Sequence, residues 1–135
     1  TVLTFAGGGA FSKYSHEFQT ISDAGEDTIY VSEKKGIAVN AEVYSDDVLS
    51  ELGLKREELT ERKAIEVGNI FKLGIRFSDV LGLSFKGEDG KTKPVIMGCY
   101  GLGPSRVMGA IAEILSDDRG LVWPHAVAPF TAHLI

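Results

Sequence analysis

Arg106 stands one turn into a stretch whose composition suits it to holding phosphate. An apolar strand of Val95, Ile96 and Met97 is predicted to run into Gly98, Gly101 and Gly103. An apolar helical stripe of Val107, Met108, Ile111, Ala112 and Leu115 follows. A strand that enters a helix through glycines lets backbone come close to a ligand. It also points the free N–H groups of a helix start at an anion. The arginine adds a permanent, forked positive charge. Together these features point to nucleotide handling. The motif is neither of two familiar glycine-rich patterns. Arg106 occupies the place where the dinucleotide fingerprint has its third glycine, and no Gly-Lys-Ser/Thr follows as in a P-loop. On the motif alone, a packed strand–turn–helix with a surface arginine is the competing account.

The elements that must position this motif come from a chain of 135 residues, enough for one modest domain with a core of its own. Hydrophobic content of 44% and charged content of 24% belong to a globular protein. A net charge of −5 argues against a broad nucleic-acid-binding face, though it says little about any one patch. Cys99 is the single cysteine, so an intrachain disulfide and a cysteine-based zinc site are both excluded. It reads as a small buried apolar group, and cysteine usage fits a reducing cytosol. His125 and His133 show no metal-ligand spacing. No apolar run approaches the length of a membrane span. Both ends read as cut, with a strand at the start and another over Phe130–Ile135, so the sequence is expected to be part of a longer protein.

Alternation predicts strands over Val2–Phe5 and Ser15–Ser22, a turn at Gly25–Asp27 and a strand over Thr28–Ser32, the last two strands pairing as a hairpin. Ser45 is a suitable N-cap and Gly53 a suitable stop for a helix between them, with Asp46 and Asp47 at its positive end. The charges of Lys55–Arg62 read as a solvated turn or short helix. Lys63–Phe71 reads as strand, Gly74–Leu81 as helix, and Leu83–Lys86 with Lys93–Met97 as a hairpin about Gly87–Gly90. The helix after the glycines is predicted over Pro104–Leu115, with proline tolerated in its first turn. Trp123 reads as core. Many strands and few helices predict an α+β fold with an antiparallel sheet flanked by helices.

Several segments, taken in order, resemble bacterial-type prolyl-tRNA synthetase, a class II aminoacyl-tRNA synthetase. They are Ser15–Phe18 with Gly25–Ile29, then Ile65–Gly74, then Val95–Arg106, then Trp123-Pro124 and Ala128–Phe130. The resemblance implies that residues 1–128 are the C-terminal portion of a class II catalytic domain carrying the third class motif. Motifs 1 and 2 are then expected upstream, and an anticodon-binding domain is expected to open at 129–135. Residues 35–62 stand where many bacterial members carry an editing insertion, so no proofreading is expected.

The resemblance also implies roles. Arg106 would grip the ATP γ-phosphate, and Glu66 would meet ATP-bound Mg²⁺, for which a carboxylate is a natural hard ligand. Asn69, Gly101 and Gly103 would line the ATP site. Asn69 stands where many relatives have a histidine, and asparagine cannot titrate. Glu17, His16, Phe71, Gly98 and Tyr100 would line the amino-acid site. Glu17 is read as facing the proline imino group, His16 as structural or substrate-orienting, and Phe71 as core or as a wall against the proline ring. The implied activity is ATP-dependent ligation of proline to tRNA(Pro) by a cytoplasmic homodimer. A non-catalytic synthetase-like nucleotide-binding or regulatory subunit is the alternative.

Overall fold

Thr60–Gly74 form one long strand, β5, in the computed structural model, which describes residues 1–132 and 134–135. His133 lies outside the described residues. Four strands precede β5: β1 (Val2–Gly7), β2 (Tyr14–Ile21), β3 (Asp27–Ser32) and β4 (Ile37–Asn40). β1 pairs antiparallel with β2 and parallel with β4, and β4 pairs antiparallel with β3. β3 then pairs with Thr60–Ala64, and β2 with Ala64–Phe71. Ala64 is partnered by both Ile21 and Asp27, so β2 and β3 hold opposite edges of β5 and the five strands close into a ring. β8 (Met97–Leu102) extends the sheet by pairing with Gly68–Gly74 on the edge that β3 has left.

The expected hairpin of the second and third strands therefore does not form. The turn between them is present, with Gly25 N–H donating to the Ser22 carbonyl at 3.0 Å. β5 runs between the two strands, and each finds its ladder there. The parallel β1–β4 pair makes the sheet mixed rather than antiparallel. Helices are few. α1 (Asp46–Glu51) is capped by the Ser45 hydroxyl, which accepts from Val48 N–H at 3.4 Å, and Gly53 follows with φ +63°. α2 (Arg76–Val80) is a single short turn.

Among the described residues only α3 (Pro104–Leu115) is long enough to cover a sheet face, and its bounds are those read from the sequence. Val107, Ala110, Ile111, Ile114 and Leu115 of its sheet-facing side line an open cavity of about 380 Å³ with Thr20, Ile21 and Val67, and Ala110 is the buried one among them. Met108 is 56% exposed and is not part of this lining.

β6 (Ser84–Lys86) and β7 (Thr92–Pro94) form the expected hairpin. β9 (Ser116–Asp117) and β10 (Gly120–Leu121) make a minimal ladder after α3. The described residues of Phe130–Ile135 are not in a strand, and Trp123 is 39% exposed rather than core. Cys99 is also exposed, because it sits on β8 at the open side of the sheet.

Two apolar clusters hold the ring. Ile29, Val31, Ala38 and Ala64 fill its interior with Val2 against them. Outside, Val39 packs against Leu49 and Leu54, which seats α1 on the back of β4. The stretch 35–62 thus supplies β4 and the first residues of β5 to the ring, with α1 packed on the outer side of β4. Among the described residues no helix is long and apolar enough to cross a membrane.

Candidate functional site

The interior of the ring is apolar toward one end and polar toward the other. Residues directly opposite in a ladder share a face, and the faces alternate along each strand. Ser15, Glu17 and Gln19 of β2 therefore share a face with Phe71, Asn69 and Glu66 of β5, and with Cys99 and Gly101 of β8. In a regular strand, residues three apart would point to opposite faces, which would separate Glu66 from Asn69. A bulge at Val67 prevents this. The register with β2 shifts between Phe18, opposite Gly68, and Gln19, opposite Glu66. Asn69 Nδ2 accordingly donates to Glu66 Oε1 at 3.0 Å.

The start of α3 satisfies the bulged carbonyls. Gly103 N–H donates to the Val67 carbonyl at 3.0 Å. Arg106 Nη1 donates to the Glu66 carbonyl at 3.2 Å and to Glu66 Oε2 at 3.1 Å. The glycine-rich entry to α3 and the bulge of β5 are thereby one structural unit. Gly101 belongs to it, since a Cβ there would lie 2.6 Å from Asn69 Oδ1. The Glu66 side chain is 24% exposed and that of Arg106 60%. Two clefts flank the pair. One, of about 170 Å³, runs along Gly68, Asn69, Gly101 and Gly103. The other, of about 390 Å³, is bounded by Ala24, Glu26, Asp27 and Ala64. Only one guanidinium nitrogen is engaged by Glu66, which leaves the rest of the fork to an anion.

Glu17 lies opposite Asn69 in the ladder. Burial holds its carboxyl above the ordinary carboxylate range, and the nearby Glu66 charge pushes the same way against the hydrogen bond from Gln19. Phe71 faces the same side and meets the Phe11 ring edge-on at 5.7 Å. The other expected residues lie elsewhere. His16, Gly98 and Tyr100 alternate onto the opposite face, where His16 packs against Phe5 at 4.9 Å between ring centroids. Burial, with Lys72 close by, lowers the affinity of His16 for a proton. Tyr100 is 76% exposed on that face.

The sequence reading missed Gln19, Asp27 and Asn40, which surround Glu17. The signal for Gln19 was legible in β2 itself, where polar Ser15, Glu17 and Gln19 alternate with His16 and Phe18. That pattern places polar groups on the buried face.

Residues 2–115 match the tRNA synthetase class II core domain (G, H, P, S and T). The chain belongs to this family. Relatives named proline–tRNA ligase are similar in sequence over part of the chain. That of Bacillus cytotoxicus is 59% identical over 73 residues, which is 54% of this chain and 13% of the relative. Those of Bacillus mycoides and Bacillus cereus are 58% identical over 73 residues, with the same shares. The matched stretch is thus a small part of each relative's length. For a class II core domain, a fixed arginine beside a carboxylate at a helix start is an arrangement fit for a polyphosphate and its counter-ion.

Proposed function

We propose that this chain is part of a proline–tRNA ligase and supplies the Arg106 side of its adenylation site. The observation that carries the reading is the Arg106–Glu66–Asn69 constellation at the mouth of α3, in a chain this similar to proteins of that name. The substrates are proline, ATP and tRNA(Pro). Proline and ATP give prolyl-adenylate and pyrophosphate, and the prolyl group then passes to the tRNA. The proline carboxylate attacks the α-phosphate directly, so the protein's work is positioning and charge stabilisation. Arg106 holds the γ-phosphate with the part of its guanidinium that Glu66 leaves free. Asn69, Gly101 and Gly103 line the adjoining cleft.

The residues also fit a magnesium ion. Among the described residues no three His, Cys, Asp or Glu side chains gather to hold a metal. Mg²⁺ bound with a nucleotide usually takes one or two carboxylates and completes its shell with phosphate and water, and Glu66 offers such a carboxylate. When bound, the ion supplies further positive charge to the phosphates. Glu17 and Phe71 face the amino-acid side, and His16, Gly98 and Tyr100 support it from the reverse face of the same strands. In the intact protein the sheet continues into the antiparallel, helix-flanked catalytic domain of a cytoplasmic homodimer. Residues 35–62 replace an editing insertion, and 129–135 open an anticodon-binding domain.

Proline-dependent ATP–pyrophosphate exchange by the intact protein tests the reading, and its absence would favour a non-catalytic subunit. The role of Glu66 has its own test. Glu66→Gln keeps size and removes only charge. It is expected to raise the Mg²⁺ concentration for half-maximal exchange by about tenfold, a charged hydrogen-bonding group being worth roughly 1.5–3 kcal/mol. Superimposable Mg²⁺ titrations for wild type and variant would return Glu66 to a purely structural role.

A further inference from the structure

We propose that Gln19 is a positioning residue that fixes Glu17 to accept the amine of the substrate amino acid. The proposal rests on the reading above that this substrate is proline. Gln19 is fully buried. Its Nε2 lies between two carboxylates, 2.9 Å from Glu17 Oε2 and 2.5 Å from Asp27 Oδ2. A primary amide nitrogen has two N–H donors, and both are spent here. Asn40 Nδ2 reaches the same Glu17 oxygen at 3.4 Å. Both neutral donors therefore converge on Oε2, and Oε1 of Glu17 is left to a ligand.

The charges around this point do not balance. Glu66 has Arg106 as its cation. Glu17 and Asp27 are held at this point by uncharged amides. A half-buried carboxylate with only neutral donors is electrostatically incomplete. The protonated secondary amine of proline carries the missing charge and the N–H donors to deliver it. Gln19 also bears a cost that a packing residue would not. Its Oε1 is buried and has no hydrogen-bond partner among the described residues. An orphaned acceptor inside a ring of strands is unfavourable, a cost that an apolar side chain would avoid, but only by also withdrawing the donor from Glu17 and Asp27. The orientation of this amide serves the two carboxylates at its nitrogen end.

The test uses the intact protein and compares wild type with Gln19→Leu in the exchange assay. The variant is expected to raise the KM for proline by about tenfold to a hundredfold, the worth of a hydrogen bond to a charged group. The KM for ATP should stay within about twofold, because the phosphate contacts belong to other residues. A neutral probe separates positioning from packing. Tetrahydrofuran-2-carboxylate has the shape of proline with an ether oxygen in place of the amine, and its inhibition constant should not move. A folded variant whose proline KM is unchanged, or which loses proline and the ether analogue in equal proportion, would overturn the proposal. Should Gln19→Leu fail to fold, Gln19→Met fills the same space with a more adaptable chain and is judged by the same ratios. An active wild type whose variants show no selective loss of proline refutes the role of Gln19 alone. A wild type inactive with proline refutes the assigned substrate, and this proposal with it.

Discussion

Arg106→Ala in the intact protein is expected to slow adenylate formation by about a hundred- to a thousandfold, the usual cost of removing one preorganised donor aimed at developing charge. The proposed function adds a second task to the structural one this residue has, which is why the effect should lie at the upper end. Its exposed guanidinium is proposed to take a phosphate, and the same group holds the Glu66 carboxyl and main-chain carbonyl through Nη1. Alanine removes the phosphate partner and frees the carboxylate together. Binding of tRNA should be unaffected, because the residue is assigned to nucleotide alone. Arg106→Lys should recover only part of the rate, since an ammonium cannot hold Glu66 and a phosphate through a planar fork. Pre-steady-state adenylate formation is the measurement. A rate for Arg106→Ala equal to wild type would remove the residue from the site.

Gly25→Ala should cost the fold about 3 kcal/mol or more, at or beyond the usual range for overpacking. A Cβ at Gly25 would lie 2.2 Å from the Ala64 carbonyl oxygen, 2.3 Å from its carbon and 2.6 Å from its nitrogen. All three are backbone atoms, so no side chain can swing away. Nor can Ala64 retreat, because it is fully buried and paired to β2 on one edge and β3 on the other. Gly109 provides the control. It lies in α3 with nothing within 4 Å of a built Cβ. Gly109→Ala should stabilise by up to about 1 kcal/mol through helix propensity. Denaturant midpoints of the two variants in one background give the comparison. Similar midpoints would mean that the Gly25 turn can yield.

What the sequence disclosed and what it withheld divide along the distance between interacting residues. α3 was legible to its ends because proline at its start and an apolar period of 3.6 are local signals. The cap at Ser45 and the hairpin of β6 and β7 were legible for the same reason. The partners of β2 and β3 were not. A turn at Gly25 implies a hairpin, and only the long-range arrival of β5 decides otherwise. The parallel pairing of β1 and β4 is likewise a property of the closed ring.

Within the candidate site, Arg106 and Glu66 were chosen by residue type and resemblance, and the structure adds that they touch. Asn69 falls beside them only because of a bulge at Val67, whose one local sign, Gly68 inside the strand, does not by itself say which side chains it brings together. Cys99 was assigned to the interior on residue type, but its strand is an open edge there. Gln19 escaped notice because a glutamine in a strand is usually taken to face water, and the alternation that buries it was read for its apolar members only.

β5 is also the last strand of the ring to be synthesised. β1 to β4 can begin to pair once residue 40 has been made, yet they leave a gap one strand wide between β2 and β3. Two unpaired strand edges face that gap, an arrangement prone to capture by other chains. Closing it is a non-local step and therefore a slow one. The residues that close it, Ala64 to Phe71, are those that carry Glu66 and Asn69. The candidate site thus cannot assemble ahead of the ring, and a nascent chain that stalls before β5 has neither. Closure of the ring and formation of the candidate site are set by a single gate.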